Sequence, residues 1–195
     1  NYQKEWGVMP FRGKIEALAG VRSYLEEIRQ DYVVLMEGDL VVNLPQAEIQ
    51  AEHVKSGADI TVVCGNDSFA TAGGSYFEVD KDGRVTEVLY NLNTPRGYRG
   101  LEVYILSTKL LKELVDECYA KDQFSWRRDV LRAKKDTLKL NSYIWSGFAA
   151  QVRSVQEYYD RSMQLLDPKI RADLFAPARP IMAKGADKSS TYVGP

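Results

Sequence analysis

The stretch Asp31-Tyr32-Val33-Val34-Leu35-Met36-Glu37-Gly38-Asp39 decides the reading of the fold. Tyr32 to Met36 form a short continuous apolar run, which suits a strand buried on both faces, and the run ends in Glu37-Gly38-Asp39. A helix follows, because Pro45 suits a first helical position and Gly57 a helix end. Asp59 to Cys64 is a second buried strand, so the unit reads strand–helix–strand and implies a right-handed parallel crossover. Upstream, Ile15, Leu18, Ala19, Leu25 and Ile28 recur near helical spacing, and a single helix is expected over Gly13 to Arg29.

Downstream, Ser75 to Val79 and Arg84 to Leu89 flank Lys81-Asp82-Gly83, a hairpin signal. Leu101 to Leu106 is a third buried strand. Ser107 caps the next helix, whose Leu110, Leu111, Leu114, Val115 and Cys118 form an apolar stripe. Ser125 caps a short helix through Arg132, Leu138 to Trp145 is a strand, and helices are expected over Val152 to Leu166 and Pro168 to Phe175. The stripe of Tyr158, Tyr159, Met163, Leu165 and Leu166 reads as core. From Ala176 onward the composition shifts to Pro, Ala, Gly, Lys and Ser, as in a linker or docking segment. The expected fold class is α/β: a mixed, mostly parallel sheet with helices on both faces, over residues 1–175, and a connector at 176–195. Ligands of such sheets bind beyond the carboxyl ends of the strands, which is where Glu37-Gly38-Asp39 lies.

The 195 residues suffice for one sizeable core. The formal net charge of −1 disfavours nucleic acid, which needs a cationic face. No apolar run approaches the roughly 20 residues of a membrane span. Asn1 to Glu5 do not form a signal peptide and hold no initiator Met, so the chain reads as a processed product or a fragment. Cys64 and Cys118 fit no metal spacing and read as reduced structural thiols of a cytoplasmic protein. A single His rules out a multi-His metal site.

Asp39 is the first candidate for chemistry. A carboxylate just past a buried strand, with Gly38 letting the backbone bend, can present an oxygen to magnesium, which takes one or two carboxylates plus substrate phosphates. The plainer alternative is an Asp capping a turn. His53 reads as a packed or capping residue. Arg127, Arg128 and Asp129 read as a solvated helix face with local ion pairs. Arg96 and Arg99 flank Gly97 and are either ordinary loop arginines or a phosphate contact. Ala72-Gly73-Gly74-Ser75 follows no strong strand and opens no helix, so it is not a phosphate loop.

Several stretches together resemble one family. They are Val33 to Leu40, ending in Gly-Asp; His53-Val54-Lys55-Ser56-Gly57-Ala58-Asp59-Ile60-Thr61; Gly83-Arg84-Val85; Leu101 to Leu106 with Leu110-Leu111; Ser154 to Tyr159 through Met163 and Leu165; and Leu174-Phe175 with Pro180-Ile181. In order and spacing they resemble the glucose-1-phosphate adenylyltransferases, which make ADP-glucose from ATP and glucose 1-phosphate for glycogen synthesis. Within that family the chain is similar to the GlgD-type subunits. The resemblance implies a Rossmann-like nucleotide-diphospho-sugar transferase domain, a following left-handed β-helix and an oligomer. Residues 1–175 would be the sugar-binding part of that domain and 176–195 the connector, with the nucleotide-binding part before Asn1 and the β-helix beyond Pro195.

The family pattern also implies two Asp carboxylates on magnesium. Asp39 matches the first, and Gln151 stands where the second is expected. A neutral amide can offer an oxygen but cannot neutralise a cation. Glu102 and Ser125 fall at sugar-pocket positions, both substituted, and the phosphate-binding Lys is absent from Glu87 to Pro95. A carboxylate at Glu102 facing a phosphate is unfavourable unless a cation intervenes. Three expectations follow: a non-catalytic subunit acting with a catalytic relative, an active adenylyltransferase with a rearranged sugar site, or a sugar-phosphate or nucleotide sensor.

Overall fold

The computed structural model describes residues 11–65, 74–90 and 96–181. Asn1 to Glu5, Ala72 and Gly73, the 91–95 part of the Glu87 to Pro95 region, and residues 182–195 lie outside the described residues. The elements are α1 (Lys14–Ala19), α2 (Arg22–Glu27), β1 (Tyr32–Met36), β2 (Leu40–Val42), α3 (Gln46–Ser56), β3 (Ile60–Gly65), β4 (Ser75–Val79), β5 (Val85–Tyr90), β6 (Tyr98–Ser107), α4 (Thr108–Ala120), a π-helical turn (Trp126–Arg132), β7 (Leu140–Trp145), β8 (Ala149–Gln151), α5 (Val155–Gln164) and α6 (Pro168–Leu174).

The main sheet runs β5-β4-β6-β3-β7, with β1 beside the second half of β6. β1, β3, β4 and β7 run one way and β5 and β6 the other, so most strands share a direction. Only β3 and β7 pair side by side in parallel, however. The β1–α3–β3 unit joins two like-directed strands as expected, but β6 lies between them, antiparallel to both. The class is α/β and Rossmann-like, a mixed sheet with helices on both faces.

Alternation along β3 and β6 builds the two layers. Val62, Cys64, Tyr104 and Leu106 meet Ile15 of α1, Leu111, Leu114, Val115 and Cys118 of α4, and Trp126, Val130 and Leu131 of the π-helical turn. Val63, Leu101, Val103 and Ile105 meet Leu40, Ile49 of α3 and Ala149 on the other face. Each fully buried Leu or Val contributes about 1.5–3 kcal/mol relative to exposure. The expected caps are in place: Ser107 Oγ accepts from Leu110 N at 3.1 Å, and Gly57 closes α3 in the left-handed conformation, φ 57°. Gly83, φ 83°, turns the β4–β5 hairpin. Cys64 and Cys118 are buried and free, and burial pushes both thiols up.

Three expectations are corrected. The first helix is two, broken at Gly20-Val21, because the β-branched Val21 leaves the helical region at φ −111°, ψ 25°. β1 is not buried on both faces: Val34 is 45% and Met36 52% exposed. Among the described residues β6 is its one ladder partner, so one edge and half of one face stay open. The α5 stripe is not core, since Tyr158 is 65% and Tyr159 59% exposed. Helical spacing marks a face that can be buried, and no described residue supplies its cover. No helix among the described residues is long and apolar enough to cross a membrane.

Candidate functional site

The short β2–β8 ladder brings Asp39 and Gln151 together, although they lie far apart in sequence. Leu40 pairs opposite Gln151, and Val152 N donates to the Asp39 carbonyl at 2.9 Å. The two positions singled out for metal therefore flank one end of one ladder. Beside them lies an open cleft of about 480 Å³ lined by Glu37, Gly38, Asp39, Arg127 and Arg153. Gly38 is not in the left-handed region, and a β-carbon there would meet nothing within 4 Å, so the bend at Glu37-Gly38-Asp39 does not depend on glycine.

The side chains at this end are tied to arginines. Arg153 Nε donates to Asp39 Oδ2 at 3.3 Å. Arg99 Nη2 donates to Gln151 Oε1 at 2.6 Å, and Gln151 Nε2 donates to Glu37 Oε2 at 3.4 Å. Lys14 Nζ lies 2.7 Å from Glu37 Oε1. One oxygen of Asp39, Oδ1, is buried with no hydrogen-bond partner.

Glu102 sits at the far side of the same charge network. The β3–β6 register jumps from Val63↔Val103 to Cys64↔Gly100, so Leu101 and Glu102 are looped out of the ladder. Glu102 has φ 58°, a conformation costly for a residue with a β-carbon. Its side chain is 2% exposed, and each oxygen takes one cation and one hydroxyl. Lys14 Nζ donates to Oε2 at 2.6 Å and Tyr104 OH to Oε2 at 2.8 Å. Ser75 Oγ donates to Oε1 at 2.7 Å, and Arg127 Nε lies 3.1 Å from Oε1. Burial pushes this carboxyl up, but the charges of Lys14 and Arg127 and the hydrogen bonds of Lys14 and Ser75 outweigh it, and the group is held below its usual range. Burial, and then the Glu102 charge, push the Tyr104 phenol well up.

These residues do not fit magnesium. The ion needs exposed carboxylate oxygen and tolerates no neighbouring cation without compensation. Here Arg153 sits on Asp39, Arg127 lines the same cleft, and the Gln151 oxygen already accepts from Arg99. No three acidic, His or Cys side chains among the described residues group in a way that could hold a metal. Asp39 Oδ1 is the one atom of the expected donor set left without a hydrogen-bond partner, and it is buried.

Ser125 does not enter the cleft: its hydroxyl accepts from Arg128 N at 3.2 Å and caps the π-helical turn. His53 is packed, as expected, with Nδ1 2.8 Å from Thr61 Oγ1 and its ring edge-on to Tyr32; burial lowers its pKa. Arg96 pairs with Glu78 at the surface. Arg128 and Asp129 form the expected local ion pair, but Arg127 leaves that face for Glu102. Lys14 and Arg153 are the residues that sequence reasoning missed, and Arg127 was read as part of a solvated face. The signal available for Arg153 was its place two residues after Gln151; Lys14 carried none.

Comparison with known proteins agrees with this architecture. The chain is 27% identical over 173 residues to the glycogen biosynthesis protein GlgD of Bacillus subtilis, covering 88% of this chain and 40% of that protein. It is 23% identical over 198 residues to a glucose-1-phosphate adenylyltransferase of Clostridium acetobutylicum, covering 98% of this chain and 52% of that protein. The chain thus spans about half the length, or less, of these curated relatives. HddC from Yersinia pseudotuberculosis shares the fold, with TM-score 0.62 and 17% identity over 80% of this chain and 63% of that one. No protein-family model matches the chain. By sequence, this chain resembles the glucose-1-phosphate adenylyltransferase family, with a GlgD-type protein among its relatives.

Proposed function

We propose that this chain acts in glycogen biosynthesis as a non-catalytic, regulatory part of a glucose-1-phosphate adenylyltransferase, working in the cytoplasm in an oligomer with a catalytic relative. One observation carries the reading: the charged groups around the cleft that would hold magnesium and substrate phosphate are already paired with one another. Arg153 neutralises Asp39, and the Glu102 carboxylate takes up Lys14 and Arg127. A reaction in which a sugar phosphate attacks the α-phosphate of ATP needs a cation between two anions, and removing a metal carboxylate costs several kcal/mol of transition-state stabilisation. Residues 1–175 are read as the sugar-binding part of the nucleotidyltransferase domain and 176–195 as its connector. Asn43 ties the first connector residues to the domain: its Nδ2 donates to the carbonyls of Leu174, in α6, and of Arg179, each at 2.7 Å.

The unpartnered Asp39 Oδ1 favours a second reading, an adenylyltransferase with a rearranged sugar site. The two are separated by magnesium-dependent ADP-glucose formation by the complete polypeptide, alone and mixed with its catalytic relative. Silence alone with a raised rate or altered effector response in the mixture is expected. Robust turnover alone, lost in Asp39→Ala, would sink the non-catalytic reading.

A further inference from the structure

The geometry around Glu102 is that of a bound anion. Four donors converge from four separate elements: Lys14 of α1, Ser75 of β4, Tyr104 of β6 and Arg127 of the π-helical turn. Two cations and two hydroxyls disposed around a pair of oxygens make the donor chemistry that recognises a phosphoryl group. The group they hold is a side chain that reaches them only through a looped-out, left-handed backbone. Backbone strain of this kind persists where surrounding interactions over-determine it. The cluster opens onto a pocket of about 200 Å³ lined by Lys14, Glu37, Glu102, Tyr104 and Trp126, among others.

We propose that Lys14, Arg127, Ser75 and Tyr104 form a phosphoryl-anion subsite that this chain fills with its own Glu102 carboxylate, a tethered ligand that shuts the subsite to free anions. The carboxylate competes from an effective concentration that no dissolved phosphate matches, because its backbone is already fixed at the site. It also ties α1 and the π-helical turn to β6, so the pocket is held in its occupied shape without substrate. The inference deepens the non-catalytic reading and rests on the same charge network, but its test does not measure synthesis and can fail independently of it.

The variant Glu102→Gly removes the carboxylate and the β-carbon that φ 58° disfavours, so Lys14 keeps its ion pair with Glu37 while Arg127 loses its own with Glu102. Inorganic phosphate is the probe, read by calorimetric titration and by Tm on the full chain. The wild type is expected to show no saturable response, and Glu102→Gly to bind phosphate at least about tenfold more tightly. Adding Arg127→Ala should abolish that gain. Glu102→Ser is the second variant should the glycine chain fail to fold. Saturable phosphate binding by the wild type overturns the proposal, as does a folded variant with no gain. A gain that survives Arg127→Ala overturns it too, because the anion would then be bound elsewhere.

Discussion

Two carboxylates of one charge network, Asp39 and Glu102, are handled in opposite ways. Asp39 keeps 30% of its side chain in solvent, meets one guanidinium at 3.3 Å and leaves one oxygen without a partner. Glu102 keeps 2% and has every oxygen doubly satisfied. A carboxylate in water loses little when a partner is removed, because solvent replaces it. A buried one has no such replacement, so its partners are structural necessities. Sequence identity alone would rank Asp39 as the important acid; the surroundings reverse the order for stability.

The contrast can be broken first at Lys14. Lys14→Met leaves Glu102 buried with Arg127 as its one remaining cation, and unfolding in urea should show a loss of about 3 kcal/mol. The acid limb of the stability curve sharpens the contrast next. Against the upward push of burial, the charges of Lys14 and Arg127 hold the Glu102 carboxyl below its usual range in the fold. Its contribution is therefore present above the usual carboxylate range and is lost as pH falls through the lower folded value. The wild type should weaken on that side, and Glu102→Gln should flatten the same limb. Arg153→Ala probes the less buried acid and should cost less than about 1 kcal/mol, with half or more of it removed by high salt. Gly38→Ala, where a β-carbon meets open space, should stay within about 0.5 kcal/mol in the same unfolding assay. A cost several times larger would restore glycine's role in shaping the loop.

The sheet was legible where pattern and position coincide. The continuous apolar runs of β3 and β6 read as buried on both faces, and Ile60 to Cys64 and Val103 to Leu106 are. β1 has the same texture, but burial depends on how many neighbours a strand has, and Tyr32 to Met36 carry no mark of lying beside half of one long strand. The α5 stripe failed for a related reason: spacing gives the face and is silent on the cover. Asp39 and Gln151 were legible as positions, and β2–β8 joins them. Glu102 was legible as an intruding charge that needs a cation. That the cations are Lys14, 88 positions away, and Arg127 was not, since such partners are chosen by chain crossings that no local pattern records.

The long β6 strand also sets an order of events in time. β1 finds its ladder partner only when Val103 to Ser107 arrive, roughly 70 residues later in the chain. At about 5–20 residues per second of synthesis, that pairing comes several seconds after β1 is made. β3 waits for the same segment. Two like-directed strands, β1 and β3, therefore join in the sheet only through a segment made after both.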